Sequence, residues 1–197
     1  MRLTRVYVDT ALSTGARCEI DGNAANHITR VLRLRNGDEL TVFDGRGGEY
    51  AARIDSIRKD KVLVDVRDHR ALMRESSLHL TLAQGVSRGE RMDLVIQKAT
   101  ELGVSRIVPM LTERTVVKLD PTQAGRKLQH WQGIVIAACE QCGRNTLPTL
   151  DEPTPLREFV RNSSTTDTRL LLSPEGSMRA RDLAPATHVT VLIRPVG

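Results

Sequence analysis

Residues 78–111 read LHLTLAQGVSRGERMDLVIQKATELGVSRIVPML, and the change of hydrophobic period inside this stretch decides the fold class. Leu78 to Leu82 is a short, mostly apolar run of strand length. Met92, Val95, Ile96, Ala99 and Leu102 then recur at helical spacing, Gly103 offers a C-terminal cap, and Arg106 to Leu111 reads as a buried strand. Parallel strands need a crossover of this kind, so the stretch predicts an α/β domain built on a parallel sheet with both faces covered.

The same grammar continues toward the C-terminus. A helix is expected after Asp120, with Pro121 in its first turn, Leu128, Trp131, Val135, Ala138 and Cys142 on one stripe, and a stop at Gly143. Arg169 to Leu172 and His188 to Ile193 read as two further strands, while Asp151 to Pro155 and Asn162 to Thr168 read as loops. Toward the N-terminus the grammar differs. Arg5 to Val8, Glu39 to Phe43, Glu49 to Ile57 and Lys61 to Val66 are short alternating runs punctuated by Asn36-Gly37 and Asp44-Gly45, the pattern of a small β-barrel or sandwich. Polar residues between Arg70 and Ser77 interrupt both patterns, which predicts domains over 1–72 and 73–197.

The chain has 197 residues, of which 40% are hydrophobic and 27% charged, a globular composition. No apolar run reaches the roughly 18 residues of a membrane span, and Met1 to Thr10 carries charges where a signal peptide would be apolar, so a cytoplasmic address is expected. Three cysteines, Cys18, Cys139 and Cys142, are too few and too scattered for a disulfide framework. A net charge of +5 suits an anionic partner, and the aromatic content of 3% argues against binding single strands by base stacking alone.

Asn23 to Asn36 holds His27, Arg30, Arg33 and Arg35 with no acid between Asp21 and Asp38. Such a patch can neutralise phosphates, and the arginines can bind them in two-pronged fashion. The bland alternative is an amphipathic helix whose Ile28, Val31, Leu32 and Leu34 make the core contacts. Gly85 and Gly89 open the helix of the quoted stretch, yet neither GxGxxG nor a Walker A sequence is present, which disfavours a nucleotide-binding Rossmann enzyme. Gly45 to Gly48 lies between strand-like runs and reads as a hairpin loop. Cys139 and Cys142 have CxxC spacing, but they sit at a helix C-terminus and no second ligand pair exists, so no metal or redox site is expected. The five histidines are too dispersed for a triad.

In order along the chain, His27-Ile28-Thr29-Arg30-Val31-Leu32-Arg33-Leu34-Arg35-Asn36-Gly37-Asp38, Gln97-Lys98-Ala99-Thr100-Glu101-Leu102-Gly103-Val104, Glu113-Arg114, and Glu140-Gln141-Cys142-Gly143-Arg144 followed by Pro148 resemble the small-subunit rRNA uridine-N3 methyltransferase E family, a branch of the SPOUT class. The resemblance implies a PUA-like β-barrel that helps hold RNA, followed by a SPOUT-type methyltransferase domain that in complete members ends in a trefoil knot. It also implies S-adenosylmethionine as methyl donor, 16S rRNA or the small ribosomal subunit as partner, and a homodimer. Cofactor contacts are then expected at Leu172, Ser173, Pro174, Ile193, Pro195 and Gly197, RNA contacts at His27, Arg30, Arg33 and Arg35, and catalytic contacts at Arg114 and Arg144. The family's loop after the last strand has text like Gly-Pro-Glu-Gly-Gly, whereas Arg194-Pro195-Val196-Gly197 stands here. On this reading the knot is incomplete, one pocket wall is missing, and cofactor affinity and dimerisation are reduced. The alternative function is an RNA-binding remnant of the family without methyl transfer.

Overall fold

A computed structural model describes residues 4–112, 120–162, 168–176 and 178–195. These pack as two compact units, one of Met1–Glu75 with Cys139–Leu147 and one of Ser76–Ala138 with Pro148–Gly197. The boundary read from sequence places all of 73–197 in the second domain, so the return of Cys139–Leu147 to the first unit is new.

The first unit is a five-stranded sheet. Its strands are β1 (Arg5–Tyr7), β2 (Arg17–Ile20), β3 (Glu39–Phe43), β4 (Glu49–Arg58) and β5 (Lys61–Arg70), in the order β1-β3-β4-β5-β2. β1 runs parallel to β3 and the remaining pairs are antiparallel. In the described ladders β1 and β2 end the hydrogen-bonded path, so the expected barrel does not close by strand pairing there. Alternation sets the core: Val62, Val64 and Val66 of β5 face Ile54 of β4 and Leu40 and Val42 of β3, all buried. β2 escaped the sequence reading although Cys18 and Ile20 alternate inward, because four residues carry too little periodic signal.

Between β2 and β3 lies a short helix, α1 (Gly22–Asn26), continued by a π-helical turn over His27–Val31. The amphipathic helix considered above places Val31 in the core; instead Val31 is 67% exposed while Ala25 and Ile28 are buried. The wider π winding, seen in the Leu32 N–H donating to the His27 carbonyl at 2.9 Å, rotates Val31 off the face that a 3.6-residue period assigns it.

The second unit has a parallel sheet of β6 (His79–Gly85), β7 (Arg106–Leu111), β8 (Thr149–Leu150), β9 (Thr154–Pro155), β10 (Thr168–Leu172) and β11 (His188–Ile193). The order is β10-β11-β6-β7-β8, with β9 also on β7. β8 pairs with Arg106 and Ile107, and β9 with Met110 and Leu111. The break falls opposite Pro109, which has no N–H to donate. Helices α2 (Glu90–Glu101), α3 (Pro121–Cys142) and α4 (Leu156–Asn162) connect the strands. α2 buries Met92, Ile96 and Thr100, whereas Leu102, expected on its apolar stripe, is its C-cap and 85% exposed. α3 buries Trp131, Val135 and Ala138 and stops at Gly143, whose φ is +93°. The sheet is not covered evenly: β7 is buried, while Leu171 and Leu172 of the terminal strand β10 are exposed. No helix of the described residues is long and apolar enough to cross a membrane.

Candidate active site

Open parallel sheets present their ligand sites beyond the carboxyl ends of their strands, where the loops diverge. The second unit has a cavity of about 1060 Å³ in that position. Leu111 and Thr112 reach it from the end of β7, Pro155, Leu156 and Arg157 from β9 and the start of α4, Leu172, Ser173 and Pro174 from the end of β10, and Ile193, Arg194 and Pro195 from the end of β11. β6 lies between β11 and β7 in the sheet, and the chain runs from β6 to β7 on one side and returns through β11 on the other. The lining thus spans the point where strand order reverses.

Gly85, the last residue of β6, lets the wall form. A Cβ at this position would lie 2.5 Å from the Pro195 nitrogen and closer still to its ring, so only glycine admits the turn after β11 at that depth. Ala83, Val108 and Met110 pack with Leu156, Phe159 and Leu192, and Leu156 of this cluster also lines the cavity. The result is a concave, mainly apolar site with the hydroxyls of Thr112 and Ser173 and two guanidinium groups in its lining.

In the first unit the Cys139–Leu147 segment is held by a buried charge cluster. Arg5 pairs with Glu49, donates from one terminal nitrogen to the Arg144 carbonyl at 3.1 Å and to Asn145 Oδ1 at 2.5 Å, and stacks over the Phe43 ring. Arg144 forms a two-pronged pair with Glu75, Nε to Oε1 at 3.1 Å and a terminal nitrogen to Oε2 at 2.5 Å. Asn145 Nδ2 donates to the Leu72 carbonyl at 3.2 Å, and the Gly47 N–H donates to the Asn145 carbonyl at 3.2 Å. Glu140 accepts the Tyr7 N–H at 2.9 Å; burial raises its pKa, opposed by that hydrogen bond and by the charges of His27 and Arg5. Burial pushes the Cys139 thiol up to about 12, so it carries no thiolate at neutral pH. Among the described residues no group of three or more His, Cys, Asp or Glu is placed to hold a metal ion.

Comparison with known proteins fits this architecture. An RNA methyltransferase domain model matches residues 74–195, and an RNA methyltransferase PUA domain model matches residues 20–67. A Bacillus subtilis protein named ribosomal RNA small subunit methyltransferase E is 30% identical over 173 residues, covering 88% of this chain and 68% of that protein. The chain belongs to the methyltransferase E family. A crystal structure of a family member from Neisseria gonorrhoeae, bound to S-adenosyl methionine, has a TM-score of 0.93 at 34% identity, over 98% of this chain and 80% of that one. A Legionella pneumophila protein solved in complex with the bound cofactor SAM has a TM-score of 0.91 at 34% identity, over 100% of this chain and 90% of that one. As a methyltransferase E family member, the chain has a PUA-like β domain followed by an α/β domain with a parallel sheet.

Of the residues expected at the family's cofactor site, Leu172, Ser173, Pro174, Ile193 and Pro195 come together around the one cavity, and Gly197 lies outside the described residues. One pocket wall is expected from the sequence to be missing; the described residues line an open cavity from the ends of β7, β9, β10 and β11 and from the start of α4. Leu111, Thr112, Pro155, Leu156, Arg157 and Arg194 complete the lining and were not foreseen. Leu111 was legible by the strand-end rule, but Pro155 and Leu156 stood in and beside a stretch that reads as loop. Arg114 lies outside the described residues. Arg144, expected to contact RNA or the transition state, is 7% exposed with its guanidinium engaged by Glu75, and it does not line the cavity. His27, Arg30, Arg33 and Arg35 do fall in one segment of the first unit: His27 is half-buried and the three arginines are exposed.

Proposed function

We propose that the chain transfers a methyl group from S-adenosylmethionine to N3 of a uridine in 16S rRNA, acting in the cytoplasm as a homodimer. The observation that carries this reading is the cavity beyond the carboxyl ends of β7, β10 and β11, in a chain of the methyltransferase E family. The lining fits a nucleoside sulfonium: Leu111, Leu172 and Ile193 offer apolar walls to a purine, Ser173 and Thr112 offer hydroxyls, and the glycine at position 85 makes room for Pro195 in the lining. When bound, the cofactor supplies an electrophilic methyl group on a positively charged sulfur.

Uracil N3 must lose its proton, and negative charge then spreads over N3 and the flanking carbonyls, so the site has to align the base and favour that anion. Arg157 and Arg194 line the cavity as cations suited to an anionic group, either the cofactor carboxylate or the uracil anion. By family resemblance Arg114 serves the same anion. Arg144 works as a positioning residue that holds the Cys139–Leu147 segment through Glu75. His27, Arg30, Arg33 and Arg35 bind RNA phosphates. A second copy covers Leu171 and Leu172 at the exposed end of the sheet.

Incubation with methyl-labelled S-adenosylmethionine and small ribosomal subunits, then digestion of 16S rRNA to nucleosides, tests the target. Label in 3-methyluridine is expected. Label in any other nucleoside contradicts the target, and RNA binding without label supports the remnant reading instead.

A further inference from the structure

Among the described residues, only two that are not glycine adopt a left-handed backbone: Arg33, with φ +53°, and Lys59, with φ +51°. Glycine is the ordinary choice for this conformation, because a Cβ crowds the carbonyl oxygen there, and asparagine is tolerated through local hydrogen bonds. Both positions carry exposed basic residues instead. They also lie at one place in the first unit. Arg33 follows the π-helical turn that carries Arg30, Lys59 forms the tip of the β4–β5 hairpin beside Asp60, and Arg30 reaches Asp60 at 3.9 Å.

Neighbouring cations are committed elsewhere. Lys61 pairs with Glu19, Arg17 with Asp65, and Arg53 donates to the Gly37 carbonyl. Arg33, Arg58 and Lys59 have no acidic partner among the described residues. The Arg30–Asp60 pair itself is loose, with side chains 77% and 75% exposed, and a pair so exposed adds little to stability. Val31, 67% exposed, sits between Arg30 and Arg33 and presents an apolar surface within the charge. A π-helical turn and strained backbone are features that concentrate at functional positions.

We infer that Arg58 and Lys59 at the hairpin tip join Arg30 and Arg33 in one clamp for RNA phosphates, with Asp60 as an internal counter-ion that the RNA displaces from Arg30. The clamp rests on the reading that this unit faces RNA, and it extends the contact from one segment to two. Cations on both sides of a bridging acid can grip consecutive phosphates without reading bases, which fixes register rather than sequence. Asp60 holds Arg30 in place in the absence of RNA and competes with phosphate when RNA arrives.

The test measures binding of a fluorescein-labelled, uridine-containing RNA stem-loop by anisotropy across a salt series, with the wild-type chain, the Arg33→Gly/Lys59→Gly variant and the Asp60→Asn variant. Each phosphate contact is worth about four- to fivefold at physiological salt and about 0.7 to 0.9 in the salt slope. The double glycine variant is expected to bind roughly twentyfold more weakly with a shallower slope. Its thermal midpoint should hold or rise, because glycine relieves both left-handed positions. Asp60→Asn is expected to bind more tightly, an outcome that misfolding cannot mimic. Wild-type binding with unchanged affinity and slope in the double variant overturns the clamp and leaves RNA binding by this unit standing. A wild-type chain that does not bind the RNA at all overturns both.

Discussion

At the scale of single residues, Gly85 and Glu140 show how backbone space and burial fix the two ends of the account. Any side chain at position 85 collides with Pro195, so Gly85→Ala should displace the turn after β11 and cost stability. A drop of several degrees in thermal midpoint together with weakened cofactor binding is expected; an alanine variant with both unchanged would show that the turn yields freely. Burial disfavours the charge of Glu140 and raises its pKa in the folded chain. A raised acid pKa contributes stability when the group is protonated, and that contribution is lost as pH rises through the folded value. Glu140→Gln keeps an acceptor for the Tyr7 N–H and removes the titration. The midpoint of the variant should therefore fall less than the wild-type midpoint as pH rises from the ordinary glutamate range to neutrality, and parallel profiles would count against a desolvated Glu140. Neither residue announces itself in sequence. Gly85 reads as one more loop glycine, and the burial of Glu140 depends on β1, more than a hundred residues away.

At the scale of elements, legibility followed length and period. β3, β7 and β11 stand where apolar runs place them, and α3 begins at Pro121 and ends before Gly143 as its signals require. Elements with little internal period were missed. β9 has two residues, and α4 has seven, of which Leu156 and Phe159 are only half-buried, so neither offers a period long enough to read. The π-helical turn was misread because a 3.6-residue period was applied to a wider winding. The segment after α3 belongs to the first unit through pairs of distant charges, which no local pattern encodes. Arg144 and Glu75 are mostly buried, with side-chain exposures of 8% and 21%, so removing one partner strands the other. Arg144→Ala should cost about 3 kcal/mol in denaturant unfolding, and the Arg144→Ala/Glu75→Ala double variant should recover part of it. Additive losses would indicate that the pair contributes nothing as a pair.

At the scale of the whole molecule, composition and the switch from period two to period 3.6 announce a β unit followed by an α/β unit, and family resemblance supplies the chemistry that period cannot. The cavity follows from the sheet: parallel strands deliver their diverging loops to one end, and β7, β10 and β11 all open there. Leu172, Ser173, Pro174, Ile193 and Pro195, expected from the family resemblance, stand at strand ends that line the cavity, whereas Arg157 and Arg194 were not expected, because nothing local says that a cation after a strand faces a cavity. The most direct measurement is a calorimetric titration of the chain with S-adenosylmethionine, repeated on Ser173→Trp, which fills the cavity from its loop. Saturable binding at one site in the wild-type chain, abolished in a Ser173→Trp variant of unchanged thermal midpoint, is the predicted result. Absence of binding in the wild-type chain, or equal binding in both, would contradict the assignment of this cavity to the cofactor.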